Sequence, residues 1–286
     1  MAEITAALVG KLREITNAGL MDCKKALGEC NGDLDTAVEI LRKKGVATAA
    51  KKAGREAREG VIAQHITPDS KVGVLVEVNC ETDFVAKNES FRAFCDEIAK
   101  TLANNPNANV EEARVAAVAK IGENIKFSRH HRMQVSGNGA VAAYIHIGAK
   151  VGVLVEVGAG KQETTLNEGF KQLVRDITLQ IAAANPTAVT REEIDPTVLA
   201  KEKEIAAEQV KNKPAAAVAK IVEGKLEKFY QTTCLVDQGF VKQNSEITVR
   251  EHLANVGKQI GDTLTIRRFV RFQVGESVAA AEPAAA

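Results

Sequence analysis

Val157-Gly-Ala-Gly-Lys161 follows a strand-like run and invites comparison with a phosphate-cradling loop, in which backbone N–H groups and a lysine surround the phosphates. That loop requires G-x-x-x-x-G-K-[ST]; counted back from Gly160, Val155 takes the first glycine position, and Gln162 follows Lys161. The spacing fails twice, which argues against a nucleotide held by this chain. Arg129-His-His-Arg132 could be a metal pair or a basic patch. Neighbouring residues on a strand point to opposite faces, so His130 and His131 cannot share one ion without ligands from elsewhere. A solvated strand edge is the simpler expectation. His65, His146 and His252 have no paired carboxylate or cysteine nearby in sequence that would suggest a triad, and no nucleophile elbow or zinc motif occurs. Cys23, Cys30, Cys80, Cys95 and Cys234 are scattered and never form a Cys-x-x-Cys pair, the pattern of reduced thiols in a cytosolic protein. The sequence therefore predicts no enzyme, no bound metal and no cofactor.

The elements that would carry such residues can be read from periodicity. The 286 residues suffice for about two domains at roughly 150 residues each. Hydrophobic residues at 45% and charged residues at 26% suit globular structure, while a net charge of +1 provides no field to attract nucleic acid or an anionic membrane. Aromatics at 4%, with no Trp, leave few platforms for stacking bases. The opening Met-Ala-Glu-Ile-Thr lacks the basic residues of a signal peptide, and no 18-residue apolar run occurs, so a cytoplasmic location is expected.

Residues 1–45 read as a three-helix bundle, with Leu8, Leu12 and Ile15 on one helix, Cys23 and Leu27 on the next, and Leu34, Val38 and Leu41 on the third. Asp33 is placed to cap the third helix, and Arg42, Lys43 and Lys44 before Gly45 suggest its end. Residues 46–59 form a linker. An internal duplication follows: KVGVLVEV occurs at 71–78 and again at 150–157, an offset of 79 that also aligns Gly60 with Gly139, Asn88 with Asn167 and Phe91 with Phe170. Each copy predicts an antiparallel hairpin followed by an amphipathic helix, giving an α+β, multidomain chain. Core subdomain 1 spans 60–138; core subdomain 2 spans 139–195 together with 231–276, which includes a C-terminal module. A strand at 125–135, after a helix at 111–121, is expected to join the second sheet. Residues 196–230 read as a protruding antiparallel helical hairpin, since many charges flank a thin apolar seam. Thr248 and Glu251 make a capping box for a later helix, and 277–286 is expected to be a disordered tail.

Duplication separates what folding needs from what one copy has acquired. Between the shared strand and the shared Asn-Glu, copy one reads Asn79-Cys-Glu-Thr-Asp-Phe-Val-Ala-Lys87 and copy two reads Gly158-Ala-Gly-Lys-Gln-Glu-Thr-Thr-Leu166. Asp83 and Phe84 align with Gln162 and Glu163, so the fold does not demand an aromatic there. Either Phe84 packs beneath its own helix, as most phenylalanines do, or an acidic-aromatic wedge is offered to a partner.

Four strings in order carry a resemblance: Ala18-Gly-Leu-Met-Asp-Cys-Lys-Lys-Ala-Leu27, Thr82-Asp-Phe-Val85, Lys120-Ile-Gly-Glu-Asn-Ile125 and Arg271-Phe-Gln-Val-Gly-Glu276. With the duplicated core and the hairpin, the chain resembles the bacterial elongation factor Ts family across nearly its whole length. The resemblance implies guanine-nucleotide exchange on the GTPase elongation factor Tu, with no covalent step, no cofactor and no direct nucleic-acid contact. It likens the N-terminal bundle to ubiquitin-associated domains, with Leu20, Met21 and Lys24 in the segment that meets the nucleotide domain. Thr82, Asp83, Phe84 and Val85 fall in the matching string, with Asp83 and Phe84 where the family's Asp-Phe pair intrudes beside the magnesium site. Ile121, Gly122 and His146 match further contact positions, and Phe240 and Val241 match the C-terminal contact module. Gly239 and Leu20 stand where Pro and Met are common. A dimer or 2:2 complex stays open, as does an alternative reading as an RNA-binding or ribosome-associated protein through 126–132 and 51–58.

Overall fold

A computed structural model describes residues 4–16, 18–211 and 214–276, so the expected tail at 277–286 lies outside the described residues. Three helices open the chain: α1 (Ala6–Thr16), α2 (Leu20–Glu29) and α3 (Leu34–Lys52). They bury Val9, Leu12, Cys23, Leu27 and Ala37 in a small core of their own. Asp33 caps α3 as its sequence suggests, accepting from the Thr36 N–H at 2.7 Å. The end expected at Gly45 is corrected, because α3 runs unbroken to Lys52. Alanines at 47, 49 and 50 favour the continued helix. Gly45 is buried against Val115 and Ala119 of α6 (Glu111–Ile121), so the glycine marks a close helix contact.

The two copies form two three-stranded antiparallel sheets. The first orders β1 (Glu59–Ile66), β2 (Val72–Cys80) and β3 (Lys126–Gln134); the second orders β4 (Gly139–Ile145), β5 (Val151–Ala159) and β6 (Leu264–Gln273). The strand expected to join the second sheet is therefore corrected: β3 pairs with β2, Val72 opposite Gln134, and β6 holds the equivalent edge beside β5. Both pairings carry an irregularity at the same place, between Glu77 and Val78 and between Glu156 and Val157.

A short α4 (Asp83–Lys87) and then α5 (Glu89–Asn104) follow β2, and α7 (Glu168–Ala184) follows β5. Asn88 and Asn167 cap the two long helices in the same way. Phe91 and Phe170, in the first turns of these helices, are buried, each in the core of its own copy. The opposite faces of the sheets meet around Ile62, Leu75, Val141 and Leu154.

The repeated lysine, glycine and glutamate explain themselves at this junction. Lys71 Nζ donates to the Gly139 carbonyl at 2.9 Å, and Lys150 Nζ to the Gly60 carbonyl at 3.0 Å. The Val141 N–H donates to the Ser70 carbonyl at 2.8 Å, and the Ile62 N–H to the Ala149 carbonyl at 2.7 Å. A Cβ on Gly73 would lie 2.5 Å from Val141 Cγ1, and one on Gly152 would lie 2.4 Å from Ile62 Cγ2, so both sheets need glycine to approach. Buried Glu77 accepts from Arg129 Nε at 2.7 Å, and buried Glu156 from Arg268 Nε at 2.8 Å. Each arginine also reaches across to the other copy, Arg129 to the Gln273 carbonyl and Arg268 to the Gln134 carbonyl. The copies are thus related by an approximate twofold axis.

The duplication extends further than a single offset reveals. The segment from α6 into β3 corresponds to the segment from α10 (Val249–Ile260) into β6, with Gly122 matching Gly261, Glu123 matching Asp262 and Arg129 matching Arg268. Both glycines close their helix in the left-handed conformation, at φ of 83° and 74°. Between α7 and α10 lie α8 (Pro196–Glu208) and α9 (Ala215–Thr233), which pack on each other. Arg191 ties their base down, pairing with Glu227 at 2.6 Å and Asp237 at 2.7 Å.

Candidate partner-binding site

Thr82 ends the extended run after β2 and caps α4, its Oγ1 accepting from the Val85 N–H at 3.4 Å. The backbone on either side is held by one carboxylate from another element. Glu123 Oε2 accepts from the N–H groups of Glu81 and Thr82 at 3.0 and 3.1 Å, and Glu123 Oε1 accepts from Thr82 Oγ1 at 2.6 Å. The clamp is mutual, because Glu81 Oε1 accepts from the Asn124 N–H at 2.6 Å. Asn124 Nδ2 donates to the Arg55 carbonyl at 2.7 Å, and Lys52 Nζ donates to the Gly122 carbonyl. The loops at 81–83 and 121–124 and the end of α3 therefore form one tied unit.

On that support Phe84 stands in solvent, 82% exposed, which removes the reading that it packs beneath its own helix. Its neighbours divide the work: Ala86 is buried and anchors α4, while Thr82 and Val85 are half-buried. Asp83 pairs with Lys87 at 2.6 Å, and that hydrogen bond holds its carboxyl below the usual carboxylate range. The Cys80 thiol behind the loop is pushed up to about 12, by burial first and then by Glu123, so it stays neutral.

The β4–β5 turn reaches the same end of the first sheet. Its base is fixed by Lys150, which pairs with Glu59 at 2.5 Å, and Glu59 lies opposite Cys80 at the mouth of the Asp83 loop. His146 is exposed on this turn, and its Nδ1 is hydrogen-bonded to the Tyr144 hydroxyl at 2.9 Å. Half-buried Ile121 and exposed Gly122 end α6 beside the clamp. The structure thus gathers Thr82, Asp83, Phe84, Val85, Ile121, Gly122 and His146 at one end of one sheet.

The remaining predicted residues lie on other elements. Leu20, Met21 and Lys24 are exposed on α2, whose opposite face buries Cys23 and Leu27. Phe240 is only 1% exposed and stacks on His252 at 4.0 Å between ring centroids, so its ring faces inward, whereas the next residue, Val241, is exposed. A Cβ on Gly239 would meet Ser245 Cβ at 2.5 Å, so this turn is built around glycine.

The residues first considered for chemistry are placed otherwise. His130 is exposed and His131 half-buried on β3, and burial followed by the Arg268 charge pushes the His131 pKa down. Lys161, of the failed phosphate motif, donates its N–H to Asp262 Oδ2 at 3.0 Å. Among the described residues no three His, Cys, Asp or Glu side chains gather where they could share an ion. All five cysteines are free thiols, four of them buried. The residues sequence reasoning missed are the supports, Glu123 and Lys150. Lys150 had a signal, since its repeat mate is Lys71; Glu123 had none at the offset of 79.

Two tied loops and a turn thus hold one apolar ring in water, with half-buried Asp83, Val85 and Ile121 and exposed His146 at the same sheet end, a combination of the kind that protein interfaces use. The family model for "Elongation factor TS" matches residues 81–276. The elongation factor Ts of Clostridium novyi (strain NT) is 43% identical over 293 residues, covering 96% of this chain and 94% of its own. That of Nitratidesulfovibrio vulgaris (strain DP4) is 42% identical over 286 residues, covering 98% and 99%. The chain belongs to the elongation factor Ts family.

Proposed function

We propose that the end of the first sheet that carries Asp83 and Phe84 is the wedge by which this protein loosens nucleotide from its GTPase. As a member of the elongation factor Ts family, the protein is a guanine-nucleotide exchange factor for elongation factor Tu. A GTPase holds nucleotide through a phosphate-cradling loop and magnesium, so speeding release requires both to be loosened. An exchange factor makes and breaks no covalent bond in doing so. Its binding free energy stabilises a GTPase conformation with displaced phosphate and metal contacts, and by reciprocity bound nucleotide weakens the factor to the same degree.

In this reading Phe84 enters an apolar gap of the partner and Asp83 works beside its magnesium site. Ile121, Gly122 and His146 widen the contact, while Leu20, Met21 and Lys24 of a ubiquitin-associated-like bundle and Val241 bind at a distance. Each tenfold weakening of nucleotide requires about 1.4 kcal/mol, and one buried Phe anchor supplies about 2 kcal/mol or more, so several contacts must share the work. The observation that carries the reading is Phe84, held 82% exposed by the Glu123 clamp.

The α8–α9 pair is read as a protruding hairpin that serves as a contact arm, for the GTPase or for a second copy of this chain, because its burial is slight: Ala206 is the buried residue of α8. No helix among the described residues is long and apolar enough to cross a membrane. The RNA-binding alternative is the weaker reading, since Arg129 pairs with Glu77 and Arg132 donates to the Ala103 carbonyl. The test is release of fluorescent GDP from elongation factor Tu with this protein at sub-stoichiometric ratio. Many GTPase molecules turned over per molecule of factor supports the reading; release limited to one equivalent, or none, refutes it.

A further inference from the structure

Ile147 is 92% exposed, more than any other large apolar side chain among the described residues. Exposed single apolar residues are ordinary on protein surfaces, so exposure alone decides nothing. Three further observations distinguish this one. First, its turn is held from several sides: the Ala149 N–H donates to the His146 carbonyl at 2.8 Å, the Ala149 carbonyl accepts from Ile62, and Lys150 is paired with Glu59. Ile147 therefore projects from a fixed support, and a contact through it requires little additional ordering.

Second, the other copy supplies a control. The equivalent turn carries Pro68 where copy two has Ile147, and it bonds to itself through Thr67 Oγ1 and the Lys71 N–H, both donating to Asp69 Oδ1. The fold thus does not demand a large apolar side chain at the tip. Third, the turn meets the outer edge of β1 at the end of the sheet where Asp83 and Phe84 begin. Two apolar side chains on tied supports, Phe84 aligned with Glu163 and Ile147 aligned with the smaller Pro68, therefore flank the same sheet end.

We infer that Ile147 is a second apolar anchor for the GTPase, continuous with the Phe84 wedge, and that it contributes affinity whereas Phe84 contributes to the release step. The inference rests on the exchange-factor reading above. Its occupant is an apolar depression on the same partner surface that receives Phe84. Burial of an isoleucine side chain there corresponds to about a tenfold change in affinity or more.

The experiment measures the rate of fluorescent GDP release from elongation factor Tu as a function of factor concentration, for the wild type, Ile147→Ser, Ile147→Leu and Phe84→Ala. Thermal unfolding of each variant checks folding, and the exposed site predicts little change in midpoint for Ile147→Ser. The expected result is a half-saturating concentration raised about tenfold by Ile147→Ser, with the maximal rate retained to within about twofold, and near-complete recovery in Ile147→Leu. An unchanged half-saturating concentration for Ile147→Ser beside a slowed Phe84→Ala overturns the anchor while leaving the exchange reading intact. If neither variant changes the curve, the wedge reading falls and the anchor falls with it.

Discussion

Replacing Glu123 by Ala separates the support of the wedge from the wedge itself. One carboxylate accepts three hydrogen bonds, from the N–H groups of Glu81 and Thr82 at 3.0 and 3.1 Å and from Thr82 Oγ1 at 2.6 Å. At about 1 kcal/mol net for each bond, the clamp contributes about 3 kcal/mol. Water can reach this half-buried loop and replaces part of that, so Glu123→Ala is expected to lower stability by about 2 kcal/mol in a denaturant titration. A loss of that size leaves the protein folded but raises the open population of the loop more than tenfold. Phe84 is then held less often in place, and the maximal rate of catalysed GDP release falls by about threefold to tenfold. Glu123→Gln keeps one acceptor oxygen and is expected to fall between wild type and Ala in both measurements. If stability drops while the release rate stays at the wild-type value, positioning by the clamp is unimportant and the reasoning is wrong. If neither changes, the clamp itself carries no weight.

Three further outcomes follow from the geometry. Burial alone would raise the pKa of Glu156, but hydrogen bonds from Arg267, Ser136 and Arg268 outweigh it and hold the carboxyl below its ordinary 4.5. Its stabilisation is therefore complete above that value and lost as the pH falls through the lower native-state pKa. The stability gap between wild type and Glu156→Gln should be constant from pH 7 to about pH 5 and should narrow in more acid solution; a gap independent of pH would contradict this. Gly152→Ala places a Cβ 2.4 Å from Ile62 Cγ2 and 3.0 Å from Ile145 Cδ1, and is expected to cost about 1–3 kcal/mol in denaturant unfolding. Ile62→Ala in the same chain should be less damaging than the two single losses added together, and simple additivity would show that the clash is relieved elsewhere. Deleting the α8–α9 hairpin and measuring complex mass by sedimentation tests the contact-arm proposal. An unaltered complex would leave the hairpin as a spacer.

Much of this architecture was legible because identical octapeptides declare the duplication, and the caps at Asp33 and Thr248 obey local rules. The second offset was hidden, since the segment carrying α8 and α9 separates the halves of copy two and shifts α10 and β6 away from the spacing of 79. That is why the sequence points β3 to the wrong sheet: its counterpart β6 lies at the far end of the chain. The length of α3 was obscured by Gly45, which reads as a terminator alone and as a helix contact once α6 lies against it. Phe84 could be singled out by comparing the copies, but its exposure depends on Glu123 folding back from another loop, which no local pattern encodes. Phe240 shows the converse, since a matching segment cannot reveal that the ring stacks inward on His252.

As proposed, Phe84 acts on the release step rather than merely on affinity, with Asp83 working beside it. The direct measurement is stopped-flow release of fluorescent GDP from elongation factor Tu at saturating concentrations of wild type and of Phe84→Ala. The expected result is a maximal rate clearly reduced in Phe84→Ala while most of the complex affinity is retained. An equal maximal rate for the two proteins would contradict it.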